Sequence, residues 1–519
     1  MSGEGAGGAD RQSGGGQVRR PSVRDVVPLA RVARSVRGPV GTALLAGSLA
    51  VTLRLPFLHD LPYPDEGGLL VVAGHWHAGG PFLYGRLFVD RPPLLLLFFR
   101  LAGALGGIVP LRLLGLVLVL GAVLAAARAG HLLGAARGSV AASLTCAALL
   151  ADPRLGTREV DAETVGIPLV LLTALLTLEA VRRDPDRARA PLLLAAGAAG
   201  AGALLVKQNL ADALVFAAVS VVGSAIASRR GGRRTARDVG ALLVGAAIPV
   251  GASVAWSTAS SRPAGLWFAV YGFRIAAIGP LLAGSSAAQE ARLDGLGRAA
   301  VVSGMAVLLV LAVGTLLRRR PDASVLALLA MLLVEVVGVA GGGYYWSHYL
   351  IGIVPATSLL VGRAVAVCSR PWLLGLAIAA TLTSSVTEVA LVAAHPTPVD
   401  GTEVGALTAW LDRAQRPGDT AVVLYGEASV FETTGLRPAY PYLWTLPQRV
   451  LDPHLTRLVR TLDRPRGPTF VVVRSTPDSW DLDPHDRVGR ALARHYRWAA
   501  RVAGDSIYVA RGTVGPSSP

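Results

Sequence analysis

Residues 190–228 read APLLLAAGAAGAGALLVKQNLADALVFAAVSVVGSAIAS, two apolar runs (190–206 and 208–228) that meet at Lys207. Arginines crowd both flanks: Arg182, Arg183, Arg187 and Arg189 before the stretch, and Arg229, Arg230, Arg233, Arg234 and Arg237 after it. Apolar runs of about 20 residues cross a bilayer as helices. Clusters of Arg and Lys mark the cytoplasmic side. The stretch predicts two successive membrane crossings with both flanks inside and Lys207 at the outer end of a span.

The same pattern extends in both directions. Apolar runs near 38–55, 112–131, 138–151, 162–180, 238–258, 299–317, 323–341, 349–367 and 372–394 bring the expected total to eleven spans. Arg128 with Arg137, Arg318 to Arg320, and Arg363 with Arg370 mark further inner connections. A cytoplasmic N-terminus and eleven spans put the C-terminus outside. The composition agrees, with 52% apolar and 16% charged residues in a chain of 519. Soluble domains carry about a quarter charged residues, so a soluble globule is excluded. The net charge of +16 would suit nucleic acid, but the arginines lie in short clusters between apolar runs, and no nucleic-acid partner is expected. Cys146 and Cys368 offer neither a disulfide framework nor metal-ligand spacing. There is no Gly-rich phosphate loop, hence no nucleotide site.

Residues 1–37, Gly-rich then Arg-rich, read as a disordered basic cytoplasmic tail. No small-residue cleavage site follows, so 38–55 reads as an uncleaved signal anchor. Residues 92–109 are apolar but carry Arg100, and counting them as a span would invert every later arginine cluster. They read as an in-plane interfacial helix within a first external loop, 56–111. The transmembrane domain covers 38–394. From 395 the composition changes: 403–415 reads as an amphipathic helix, Val422 to Tyr425 and Phe470 to Val473 as buried strands, and Tyr496 to Arg511 as a hairpin turning at Gly504-Asp505. A small extracytoplasmic α/β domain, 395–519, is expected.

Ionisable groups near bilayer depth are costly and commonly functional. The first external loop holds Pro62-Tyr63-Pro64-Asp65-Glu66 and later Asp90-Arg91-Pro92-Pro93-Leu94. A carboxylate there can hold an acceptor hydroxyl and take its proton, although loop carboxylates are also simply solvated. Asp90 suits the dipole of the following helix. Arg91, Lys207, Arg274 and His348 fall on the same predicted face and together suit a lipid-linked phosphate. The aromatic stretches Trp267 to Arg274 and Tyr344 to Tyr349 read mainly as an interfacial belt. Lys207 is the only lysine among 50 cationic residues. Asp212 and Glu335 lie inside spans and need partners. His75 and His77 with Asp65 make too few spaced ligands for a metal, so no metal ligand is assigned and no cofactor is certain, a divalent cation being left open.

Taken together, the carboxylate-bearing first loop, Asp90-Arg91-Pro92-Pro93-Leu94, Asp161-Ala162-Glu163 opening a span, Leu205-Val206-Lys207 and His348-Tyr349-Leu350 resemble the GT-C membrane glycosyltransferases. The nearest type is family 39, the protein O-mannosyltransferases and the bacterial lipid A aminoarabinose transferase. The likeness covers roughly 38–395. It implies sugar transfer, with inversion, from a polyprenyl-phosphate carrier to an extracytoplasmic glycan, lipid or protein in the bacterial cell membrane. It implies Asp65 as acceptor-binding base with Glu66 as neighbour or substitute. Lys207 and His348 become phosphate contacts, with Asp90, Asp161, Glu163 and Tyr349 in support. The family's acidic-basic pair usually ends in Lys; here Arg91 keeps the charge on a planar fork. Arg274 rests on topology alone. The competing expectation, a transporter or lipid flippase, would bring internal repeats and polar groups at the bilayer midplane. No repeat is evident.

Overall fold

The computed structural model describes residues 38–77, 80–183, 189–260, 262–283, 286–395 and 402–512. The basic tail 1–37 and Arg187 lie outside them. Helices dominate up to residue 394: α1 (Pro39–Arg54), α2 (Pro64–Gly74), α3 (Pro93–Ala104), α4 (Ile108–Ala151), α5 (Ala162–Arg182), α6 (Arg189–Leu204), α7 (Asp212–Ala227), α8 (Gly232–Ala259), the bent α9 (Pro263–Leu282), α10 (Ser286–Val302), α11 (Met305–Leu317), α12 (Ala323–Gly341), α13 (Val354–Val367) and α14 (Pro371–Ala394). Pro sits in the first turn of α1, α2, α3, α13 and α14, where its missing N–H leaves no bond unmade.

Among the described residues, eight helices are long and apolar enough to cross a membrane, or nine if α10 and α11, bent by 66°, form one span. The chain is a multi-pass helical membrane protein. The expected eleven runs are all helical in the main, but several of them differ in form from a single straight span. The runs at 112–131 and 138–151 are the two limbs of α4, which doubles back at Gly134 and Ala135, where φ/ψ leave the helical region. A Cβ on Gly130 would stand 2.6 Å from Ala142 Cβ, so only glycine lets the limbs touch this closely. α6 and α7 have 16 residues each, about 24 Å, because Lys207-Gln208-Asn209 breaks the run between them. The aromatic stretch 267–274, read as belt between spans, lies inside α9, which is itself apolar enough to span. α3 has 12 residues, about 18 Å, short of the roughly 30 Å hydrocarbon. Asp212 and Glu335 are fully buried side by side within the bundle.

The C-terminal part is an α/β unit: α15 (Thr402–Ala414), β1 (Thr420–Leu424), α16 (Ser429–Thr434), β2 (Arg437–Pro438), α17 (Thr445–Leu451), α18 (Thr456–Leu462), β3 (Phe470–Val473), α19 (Arg487–His495), β4 (Tyr496–Val502) and β5 (Asp505–Ala510). Its mixed sheet runs β2-β1-β3-β5-β4, parallel up to β3 and antiparallel thereafter. This unit packs on the first loop. Leu69 to Ala73 of α2 and Leu95, Leu96 and Phe99 of α3 share one apolar core with Val430, Phe431, Val472 and Ile507. The Phe88 N–H donates to Pro441 O at 3.0 Å, extending the contact as a β-bridge.

Candidate active site

Tyr63 is extended (φ −71°, ψ 160°) ahead of α2, and Pro64 opens the helix. Asp65 and Glu66 are consecutive in its first turn and face different surroundings. Glu66 is fully buried. Its Oε1 accepts from Arg112 Nε at 3.1 Å and from Val160 N at 2.9 Å; its Oε2 accepts from Arg112 Nη2 at 2.6 Å and Tyr63 N at 3.1 Å. Four donors fill the carboxylate's four acceptor positions. Arg112 also donates to the carbonyls of Phe57, Asp60 and Leu61. The Glu66–Arg112 pair is the knot that holds the loop to α4, and it leaves Glu66 no lone pair for a substrate, in contrast to the catalytic part expected of it.

Asp65 remains partly exposed, its Oδ2 3.7 Å from Arg91 Nη2. Its Oδ1 accepts from Trp444 Nε1 at 2.8 Å. Arg91 Nη1 meets Asp90 Oδ1 at 2.8 Å, and Arg274 Nη2 meets Asp90 Oδ2 at 2.5 Å, so Asp90 bridges the two guanidiniums. Burial works against the Asp90 charge, yet Arg274 and Arg91 hold its carboxyl below the usual range. Gln208 Nε2 is shared between the carbonyls of Asp90 (2.8 Å) and Val270 (2.9 Å), tying the loop to the break after α6 and to α9. Lys207 pairs with Glu163 and lies 4.6 Å from the centre of the Tyr349 ring. Asp65, Arg91, Arg274, Lys207 and Tyr349, from five separate segments, therefore converge on one region.

Beside it lies a second cluster. Asp161 caps α5, its Oδ1 accepting from Thr164 N at 2.7 Å. His348 Nδ1 is 3.2 Å from Glu159 Oε1 and 3.9 Å from Asp161 Oδ2. Ligand atoms of Glu159, Asp161 and His348 all lie within 4.8 Å of one another. Burial pushes the Glu159 carboxyl up, and burial together with the neighbouring Glu163 pushes Asp161 up to about 7. Asp161 Oδ2 is buried without a hydrogen-bond partner. Asp65, Asp90, Glu159, Asp161 and Glu163 share this region with Arg91, Lys207 and Arg274, and the buried Arg54 lies beside Asp161 and Glu159, its Nη2 donating to Glu159 O at 3.1 Å. An orphaned carboxylate oxygen, a second carboxylate and an imidazole this close together fit a divalent cation held by two oxygens and a nitrogen. Glu159 also lines a cavity of about 210 Å³, together with Tyr63, Arg154, Arg158, Ser347 and Glu388. His75 and His77 instead turn to the carbonyls of Val71 and His75.

The ten candidate site residues Asp65, Glu66, Asp90, Arg91, Asp161, Glu163, Lys207, Arg274, His348 and Tyr349 lie in or against these two clusters, whereas His75, His77, Asp212 and Glu335 do not take part in them. Sequence reasoning missed Arg112, Gln208, Glu159 and Trp444. The alternation Glu159-Val160-Asp161, which puts both acids on one side of an extended segment, is a readable signal; nothing local marks Trp444.

No family model matches the sequence, and no curated protein matches it. Solved structures do. The apo structure of ArnT from Cupriavidus metallidurans superposes with a TM-score of 0.59 at 15% identity, covering 90% of this chain and 97% of that one. The Archaeoglobus fulgidus oligosaccharyltransferase with Zn and sulfate gives 0.48 at 13% identity over 90% and 73% of the two chains. AglB from the same organism, with an inhibitory peptide and a dolichol-phosphate, gives 0.49 at 12% over 92% and 74%. The chain has the fold of ArnT across nearly its whole length.

Proposed function

We propose that this protein transfers a sugar from a polyprenyl-phosphate carrier to an acceptor hydroxyl on the outer side of the membrane. The carrying observation is the convergence of Asp65 with Arg91, Arg274 and Lys207 next to apolar helices. A carboxylate within reach of fixed cations can take a hydroxyl proton while those cations meet the leaving phosphate. Asp65 Oδ2 removes the acceptor proton, the acceptor oxygen bonds to the anomeric carbon from the opposite face, and the bond to phosphate oxygen breaks. The electron pair leaves with polyprenyl phosphate, and the configuration inverts. Arg91 offers a fork for a phosphate, held in place by Asp90; Lys207 supplies a point charge. Glu66 serves by holding the loop. Glu159, Asp161 and His348 would hold a divalent cation, which when bound would supply positive charge beside the reacting groups.

The test uses purified protein in nanodiscs with radiolabelled undecaprenyl-phosphate-linked pentoses and hexoses, and a membrane fraction as acceptor. Label moves to the acceptor and undecaprenyl phosphate is released. Asp65→Asn abolishes both without changing the melting temperature; near-normal turnover by that variant removes Asp65 from the role. A transporter or flippase would relocate the lipid with its sugar still attached.

A further inference from the structure

The carboxylate of Asp65 is oriented by a part of the chain remote from its own loop. The indole donor on its Oδ1 comes from Trp444, 379 residues further on. The backbone around Trp444 is pinned within the α/β unit. Thr445 Oγ1 donates to Tyr425 O at 2.9 Å, while the fully buried Gln448 donates to Tyr442 O at 3.0 Å and accepts from Tyr425 N at 3.1 Å. The indole lies over Gly68. A Cβ on Gly68 would overlap Trp444 Cζ2 and stand 2.8 Å from Ala428 Cβ; one on Gly67 would stand 2.6 Å from Ser429 Cα. This glycine pair is what lets the α/β unit reach the helix that carries Asp65.

We propose that Trp444 is a positioning residue for the transfer reaction: its N–H occupies Oδ1 of Asp65 and so fixes the carboxylate with Oδ2 toward the acceptor, beside Arg91. The inference rests on the reading of Asp65 as base. A base acts only within hydrogen-bond reach of the proton it removes. Arg91, at 3.7 Å from Oδ2, is beyond hydrogen-bond distance and leaves the rotamer open. An indole N–H donates and cannot accept, so Trp444 orients the carboxylate without competing for the acceptor's proton. The α/β unit thereby completes the active site instead of merely covering it.

Trp444→Phe keeps a ring over Gly68 and removes the donor. With the full-length protein in nanodiscs and labelled undecaprenyl-phosphate-linked sugar, kcat is expected to fall about 10- to 100-fold, the scale of a misplaced catalytic group. Donor-lipid Kd and melting temperature stay at wild-type values. In an Asp65→Glu background, where the carboxylate is shifted by one methylene, Trp444→Phe adds no more than about twofold, since coupled residues are non-additive. Wild-type kcat in Trp444→Phe overturns the proposal. So does a loss that tracks donor binding or melting temperature, or an undiminished effect in the Asp65→Glu background. A wild-type protein inactive on every labelled donor sinks the reading of Asp65 and this inference with it; an active wild type with an indifferent Trp444→Phe sinks this inference alone.

Discussion

Asp65 and Glu66 are neighbours in sequence with opposite fates, because successive residues of a helical turn point about 100° apart. Glu66 turns inward to Arg112, and both side chains are almost wholly buried. Removing one partner of such a pair strands a charge in a low-dielectric interior. Glu66→Gln is therefore expected to cost about 3–5 kcal/mol, read as a lowered melting temperature or a loss of monodisperse protein; a variant as stable as wild type would contradict the knot. Arg91 tests a different property. It lies between Asp90 and Asp65, so charge alone does not replace its two-pronged donor set. Arg91→Lys should keep the fold and lower kcat/KM by about tenfold or more, measured with the labelled donor.

At the scale of elements, the decisive devices are breaks. Lys207-Gln208-Asn209 ends one apolar run and starts another, which brings Lys207 to Glu163 and Gln208 to the carbonyl of Asp90. The reversal inside α4 depends on close backbone approach at Gly138, where a Cβ would overlap Gly130 O and come within 3.0 Å of Gly362 O on α13. Gly138→Leu should separate the limbs and lower the melting temperature sharply, since well-packed interiors do not absorb added volume. Gly314→Leu on α11 is the control, because nothing lies within 4 Å of a Cβ there; thermal unfolding of the two variants side by side decides the matter.

At the scale of the whole molecule, the site joins a phosphate-suited face around Arg91, Arg274 and Lys207 to the acid-rich cluster of Glu159, Asp161 and His348. Treating the purified protein with EDTA should lower turnover, and Mg²⁺ or Mn²⁺ should restore it; full activity after exhaustive chelation would leave the cluster without a metal role. Asp161→Asn should weaken the restoring effect of added cation, seen as a higher concentration for half-maximal turnover.

A multi-pass helical membrane protein followed by an α/β unit is already written in the order of residues along the chain. Apolar run length and arginine spacing are local properties, set by bilayer thickness and the cost of burying charge. Asp65, Arg91, Lys207 and His348 were legible for a similar reason, since polar residues at the ends of apolar runs stand out. Which of two adjacent carboxylates stays partly exposed, that Glu159 joins His348, that Gln208 ties three segments, and that an indole from the α/β unit rests on the first loop follow from how the helices and the sheet pack together. Those contacts join residues as many as 379 positions apart, and hydrogen bonds across such distances depend on how the helices pack, which leaves no periodic trace in the chain.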